Sequence, residues 1–424
     1  MKLKLVTMTA LVGFVAVSCS SSKSDNVVTT RPGPNVGSIT EPKTRTATGV
    51  TDTEIKVSAL GYKAAFGDSL VGAQARFKRE NDAGGVFGRK IVLTDFNDDN
   101  QTPATDSSLA TKIVEQDKPF AIVPVMTAAF PAADYLNNAG VPYVGWGIVP
   151  DWCNKTAGFS LNGCTDPAIN STVGNFGPQA AALFADGKIK DKTIALIGTD
   201  NASAKIATKS FGEVWTHNGA KVVTTRNTVP LAPTVVADFT PYAQQILQSN
   251  GGKGPDLAEF VLDTGTTVGL AKKLRELGYK GVILTFTLYD PRIAPLSNNI
   301  FNEITFAPWE QQNTPAVAQM LKDIAAVDPS ATKSLPLAAG YWSADLFISL
   351  LKHAGKDLTR EKFLAAANAG FKYDGQGGTS NLEFPADHTE VASAIAFVEG
   401  NGKNYTVTVP FAPTPMVPKR EIKG

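Results

Sequence analysis

Only three imidazoles occur in 424 residues, His217, His353 and His388. They are scattered, so spacing supports neither a metal-ligand cluster nor a nucleophile–base pair. His217 and His353 fall near the ends of predicted helices, where a capping or surface role is the default. His388 has acidic neighbours on both sides, in Phe384-Pro385-Ala386-Asp387-His388-Thr389-Glu390, and is the one candidate for acid/base work. Gly67-Asp68-Ser69 lacks the spacing of a nucleophile elbow and reads as a helix N-cap. Asp98-Asp99 offers two carboxylates to a cation or a cap to the next helix, and the cap is the simpler reading. No Walker loop, GxGxxG after the first strand, HExxH or CxxC pair is present. The expectation is a protein without catalysis, metal or cofactor, whose chemistry is non-covalent.

That chemistry concentrates in Phe120–Pro150. Phe120–Val125 is an apolar run short enough for a strand buried on both faces. A small-residue turn, Met126-Thr127-Ala128-Ala129, leads into a helix from about Pro131 to Asn138. Gly140 and Pro142 end that helix, and a second apolar run, Val141–Trp146, closes on Gly147. Such βαβ units place ligands at the carboxyl ends of their strands, which puts Met126–Phe130 and Trp146–Val149 at a mouth.

The rest of the chain supplies partners for that unit. Thr51-Asp52-Thr53-Glu54 opens a strand, Ile55–Leu60, and a loop with Phe66 leads to a helix over Ser69–Ala83. Ile91–Phe96 is a strand, and Pro103 begins a helix. After a predicted helix over Val173–Asp186, a second βα series starts. Its strands are Thr193–Ile197, Lys221–Thr225, Leu257–Leu262 and Val282–Phe286; its helices are Ser203–Asn218, Tyr242–Gln248 and Val268–Leu277. The alternation runs twice, over about 55–150 and 193–290, so the fold class is α/β with two doubly wound lobes. Helices over Pro315–Val327, Leu337–His353 and Thr359–Ala369 follow, then short strands at Leu382–Phe384, Ala392–Val398 and Tyr405–Val409. The tail from Phe411 is an irregular strap.

Composition and address narrow the class further. A chain with 43% apolar and 19% charged residues is ordinary and globular, and its net charge of +1 excludes a polyelectrolyte or nucleic-acid partner. Lys2, Lys4 and the apolar Leu5–Val17 form a secretory leader. Ala16-Val17-Ser18-Cys19 resembles a bacterial lipobox, with Ala16 where Leu is usual, so Cys19 is the expected lipidation site and the chain is expected on the outer face of a cell membrane. Residues 20–49 are Ser-, Thr- and Pro-rich and read as a tether. Cys153 and Cys164 bracket a polar loop in an oxidising compartment, where a disulfide stapling a surface loop is the natural pairing.

Four stretches carry a family resemblance, one of them the Asp387-His388 turn, which resembles a later part of the family's pattern. Thr48–Val57 looks like the start of the mature fold in actinobacterial solute-binding lipoproteins. Asn81-Asp82-Ala83-Gly84-Gly85-Val86-Phe87-Gly88-Arg89-Lys90-Ile91 with Asp98-Asp99, and Lys272–Tyr279, resemble periplasmic solute-binding proteins of ABC importers, branched-chain amino acid type. The likeness extends over about 48–400. It implies two Rossmann-like lobes joined by a three-crossover hinge, the type I periplasmic binding protein fold. Boundaries follow: 1–18 leader, 19–49 tether, 50–172 with 304–370 as the first lobe, 173–303 with 371–424 as the second. It also implies a small-molecule solute in the cleft, ABC permease subunits as partners and a monomer. Carried over by position, the ligand set is Phe66, whose ring would pack over the solute, Met126, Thr127, Trp146 and Gly147 in the first lobe, and Asp200, Thr264, Thr266 and Tyr289 in the second. Thr264 and Thr266 are equally eligible to cap a helix. Only Thr127 keeps a hydroxyl in the first-lobe turn, so the expected pocket is flatter and more apolar than an amino acid needs. An aromatic or branched organic acid suits it. Competing readings are a ligand sensor of the same fold and a secreted α/β hydrolase built on His388.

Overall fold

The computed structural model describes residues 47–231 and 234–422. The leader, the proposed anchor Cys19 and the tether as far as residue 46 lie outside the described residues. Two parallel-stranded sheets organise the rest. The first contains β1 (Glu54–Gly61), β2 (Lys90–Asp98), β3 (Ala121–Met126), β4 (Tyr143–Gly145) and β5 (Gly158–Ser160), in the order β2-β1-β3-β4-β5. The side chains of β3 are buried throughout, as expected for a central strand covered by helices on both faces.

The second sheet contains β7 (Thr193–Thr199), β8 (Lys221–Val229), β9 (Leu257–Val261), β10 (Val282–Thr285) and β11 (Ile300–Ile304), all parallel. Antiparallel β14 (Ala394–Gly400) and β15 (Tyr405–Pro413) extend it beyond β11, giving β15-β14-β11-β10-β9-β7-β8. The chain passes between the sheets at three places: 161–192, 305–314 and 385–393. A small ladder on the first of these pairs β6 (Thr172–Gly174) with β16 (Met416–Pro418).

Helix packing on the first sheet depends on two glycines. α2 (Ser69–Asp82) crosses α10 (Leu335–Ala354) with backbones in contact. A Cβ on Gly72 would sit 2.0 Å from the Leu337 carbonyl oxygen, and one on Gly340 would sit 1.9 Å from that of Ser69. α10 is apolar nearly all round and buried along most of its length, which makes it a core helix rather than an amphipathic one. Polar links at its edge are matched pairwise. Arg76 binds Asp345 and Glu80, Arg79 reaches Asp323 at 2.8 Å, and Tyr373 donates to Asp345 at 2.9 Å. Each buried charge here has a partner, without which it would cost several kcal/mol (about 3–5).

Four expectations need correction. No long helix covers 173–186: β6 takes its start, followed by a single turn, α5 (Gly177–Ala180), and a 3₁₀ turn. Pairing with β16 and the burial of Phe176, Leu183 and Phe184 in the second-lobe core outweigh the helical spacing. The helix expected at Val268 begins at Thr264, making α8 Thr264–Glu276. The disulfide joins Cys153 to Cys164 but staples no surface loop, because the segment between them supplies β5 and buries Phe159 completely. Finally, residues 371–384, assigned above to the second lobe, form a hairpin of β12 (Phe371–Tyr373) and β13 (Leu382–Phe384) packed with first-lobe residues Phe159 and Phe363.

Candidate functional site

At the first-lobe mouth, the turn after β1 is tied to its neighbours through backbone. The Tyr62 N–H donates to the Met126 carbonyl at 3.0 Å and the Lys63 N–H to Asp98 Oδ1 at 3.1 Å. This fixes the short helix α1 (Lys63–Phe66) and presents Phe66 edge-on to Trp146, centroids 6.4 Å apart at 89°. Trp146 in turn packs on Phe306 at 5.6 Å, and its indole N–H donates to Thr305 Oγ1 at 3.2 Å. Thr305 and Phe306 lie on the second crossing between the sheets, so the half-buried indole joins the β4 mouth to the hinge. Gly147 follows at φ 68°, where a Cβ would lie 1.8 Å from Ser160 Oγ; no other residue fits.

Met126 and Thr127 are present at the same rim but inward. Met126 is buried at the end of β3, and Thr127 is 2% exposed. The Thr127 hydroxyl closes its own turn, lying 3.1 Å from both the N–H and the carbonyl oxygen of Ala129. It organises the turn; its oxygen is not free for a solute.

The second-lobe candidates separate. Asp200 is exposed after β7 and paired with Lys205 at 2.6 Å, while its neighbour Asn201 caps α6 (Ala202–His217). Asp263 caps α8, accepting from the Thr266 N–H at 3.0 Å and the Thr266 hydroxyl at 2.7 Å. Thr266 is therefore a capping partner. Thr264 is exposed and donates to the Thr287 carbonyl at 3.2 Å. Beside it the hydroxyls of Thr285, Thr287 and Thr267 form a chain with spacings of 3.3 and 3.2 Å. Tyr289 is 3% exposed. Its hydroxyl donates to Glu310 at 2.5 Å and accepts from the Trp309 N–H at 2.7 Å, and burial first, then Glu310, holds it well above the ordinary phenol range.

The structure thus groups Phe66, Trp146 and Gly147 at the carboxyl end of the first sheet and Thr264 with Thr287 at the carboxyl end of the second. It leaves Asp200 salt-bridged outside and commits Thr266 and Tyr289 to the fold. Sequence reasoning missed Phe306 and the Thr285–Thr287 pair. The alternation Thr285-Phe286-Thr287 at the end of a strand was a usable signal; nothing local marked Phe306. Also missed was Arg292, which reaches Asp68 of the first lobe at 2.9 Å and Asp290 of its own lobe, linking the two mouths. An open groove of about 500 Å³ lined by Arg226, Val236, Tyr242 and Gln245 lies beside β8 at the sheet edge and contains none of the candidates.

His388 offers no catalytic geometry. It is 4% exposed, its Nε2 lies 2.6 Å from Asn368 Oδ1, and its ring packs on Phe159 and Phe384. Burial lowers its pKa to about 4, so the imidazole is a neutral core group. Among the described residues no cluster of three or more His, Cys, Asp or Glu is arranged to hold a metal ion, and no helix is long and apolar enough to cross a membrane.

Comparison with known proteins bears on this geometry. A family model described as periplasmic binding protein matches residues 58–404. Among solved structures, a fatty acid ABC transporter substrate-binding protein from Thermomonospora curvata superposes with a TM-score of 0.69 at 18% identity, covering 87% of this chain and 94% of its own. A solute-binding protein from R. palustris in complex with 4-hydroxybenzoate gives 0.68 at 18%, covering 85% and 97%. The branched-chain amino acid transporter substrate-binding protein of Streptococcus pneumoniae, in complex with isoleucine, gives 0.64 at 19%, covering 85% and 100%. At these identities the likeness is one of fold. No curated protein matches the chain in sequence.

Proposed function

The chain belongs to the periplasmic binding protein family, whose members are extracytoplasmic solute binders and not enzymes, and from that membership we propose that it captures a small apolar carboxylic acid, aromatic or branched, for an ABC importer. The observation that carries the choice of solute is the edge-on pair of half-buried rings, Phe66 and Trp146, at the first-lobe mouth, backed from beneath by the fully buried Phe306. Such a pair offers area and a ring face to a flat or branched apolar body. The polar candidates support the same reading. An amino acid needs a free carboxylate or tyrosine for its ammonium, but Asp200 is paired with Lys205, Asp290 with Arg292, and Tyr289 with Glu310. Thr287, whose hydroxyl lies beside those of Thr285 and Thr267, and backbone N–H groups of the turns after β3 and β4 suit a carboxylate. The neighbours that bind 4-hydroxybenzoate and fatty acid share this fold and lend the reading weight; the isoleucine complex shows the same fold serving an amino acid.

In this reading the solute touches both lobes and stabilises the closed form by its differential affinity. Cys19 carries the lipid that holds a monomer near its permease. Thermal-shift and calorimetric titration with benzoate, 4-hydroxybenzoate, a branched short-chain acid, leucine and valine tests the solute class. Stabilisation by one of the acids without an amino group is expected; a response to leucine or valine alone would exclude it.

A further inference from the structure

Two carboxyl groups are fully buried beneath the first-lobe turn that follows β3. Asp99, just beyond β2, and Asp106, on the first turn of α3 (Pro103–Lys112), are both 0% exposed. Each uses one oxygen on backbone: Asp99 Oδ1 accepts from the Gln101 N–H at 2.7 Å, and Asp106 Oδ2 from the Ala132 N–H at 3.0 Å. The other oxygen of Asp106, Oδ1, has no hydrogen-bond partner, and that of Asp99, Oδ2, has only the Thr127 hydroxyl beside it. The two acids address opposite ends of one turn. The Thr127 hydroxyl lies against Asp99, and Ala132 is held by Asp106, with Phe130 between them packed on Tyr143 and Trp152 at 5.4 and 5.3 Å.

We propose that Asp106, with Asp99, is a positioning residue for solute capture: from beneath, the pair fixes the turn Thr127–Ala132, and neither touches the solute. The charged groups that act on Asp106 are Asp99 and Asp151, and the one that acts on Asp99 is Asp98, so every one of these neighbours is an acid. Burial first, then these acids, raises Asp106 to about 7 and moves Asp99 in the same direction, against the opposing pull of their hydrogen bonds. The sign follows from linkage. A turn that opens returns Asp106 to its ordinary value near 4, so the closed turn binds the extra proton. Its stability is fullest below about pH 4, falls as pH rises toward 7, and is level above that.

The inference rests on the reading that this turn faces the solute, but its main test needs none. Amide exchange of the 127–132 turn, corrected for intrinsic rate, is measured at pH 4.5 and 7.5 in the full chain, with β9 as an internal control. In the parent protein, exchange in the turn should accelerate more than tenfold between the two values. In Asp106→Asn, which keeps an acceptor for Ala132 and cannot ionise, the acceleration should shrink below threefold, the remainder belonging to Asp99. Asp106→Ala should exchange fast at both. A flat profile in the parent, or an equally steep one in Asp106→Asn, overturns the proposal, and this comparison suffices if the alanine variant does not fold. With benzoate as probe at pH 6, affinity should drop at least fivefold in Asp106→Ala and return to within twofold of the parent in Asp106→Asn; unchanged affinity in the alanine variant also overturns it. If benzoate does not bind the parent, the solute assignment fails while the exchange profile still decides the role of Asp106.

Discussion

Trp146 combines two functions in one side chain: a face toward Phe66 and an N–H held by Thr305. The hydrogen bond limits the rotation of the ring and couples the first-lobe mouth to the crossing beside Phe306. Trp146→Ala should weaken binding of the preferred acid at least tenfold, by loss of a buried ring worth about 1.5–3 kcal/mol. Trp146→Phe should recover part of that, since it restores a ring and not the tether. Calorimetric titration of the three proteins checks the order. The candidacy of Trp146 was legible, because an aromatic residue ending a strand beside a glycine is unusual for a mere turn. The commitment of Tyr289 to Glu310 was not: the two are 21 residues apart and meet only when the crossing after β11 folds back.

At the scale of elements, caps and staples decide what is available to a solute. Asp263 satisfies the first turn of α8 and engages both polar groups of Thr266. Asp263→Ala should cost about 1 kcal/mol in urea unfolding, the usual loss for an N-cap, and Thr266→Val should leave solute affinity within twofold of the parent. If Thr266→Val abolished binding instead, the capping role would not be its main one. The disulfide lies at the other end of the same logic. It holds the segment that provides β5, with both cysteines buried, so Cys153→Ala/Cys164→Ala should lose about 2–4 kcal/mol and disturb the β4–β5 edge near Gly147.

Across the whole molecule, two features outside the ligand candidates bear on closure and stability. The Asp68–Arg292 pair spans the lobes and is partly exposed at both ends, so it contributes under about 1 kcal/mol and weakens with salt. Asp68→Asn should therefore lower affinity no more than about fivefold, with the difference fading at high ionic strength. The second feature is Glu259 on β9, fully buried, accepting from the Trp215 indole at 2.6 Å and facing Glu303. Burial raises its pKa to about 7, partly offset by Trp215. The folded state thus holds the proton more tightly than the unfolded chain, and the stability this group confers is lost as pH rises from about 4.5 to 7. Glu259→Gln keeps an acceptor for Trp215 without the charge. It should be more stabilising relative to the parent at pH 8 than at pH 5, by on the order of 2–3 kcal/mol, as read from urea midpoints.

From residue types and periodicity alone came the βα alternation, the central apolar strands, the positions of the mouth turns and the aromatic character of the first-lobe rim. These are local properties: a strand buried on both faces must be apolar, and the turn that ends it must be small or glycine-rich. The pairing of Cys153 with Cys164 was also readable, since ten intervening residues rich in Asn, Gly, Ser and Thr in an oxidising compartment leave few alternatives. What only the tertiary structure decided was which polar groups were already occupied. Thr127, Thr266 and Asp200 find their partners within five residues, in a turn, a cap and a helix start, whereas Tyr289, with a hydroxyl at a position suited to a ligand, is satisfied by Glu310, 21 residues away. The same holds for strands at β5, β6 and β12, too short to show a period and formed because a distant segment supplied the hydrogen bonds. Propensity acts along the chain, whereas hydrogen-bond satisfaction and burial are settled between segments that the sequence keeps far apart.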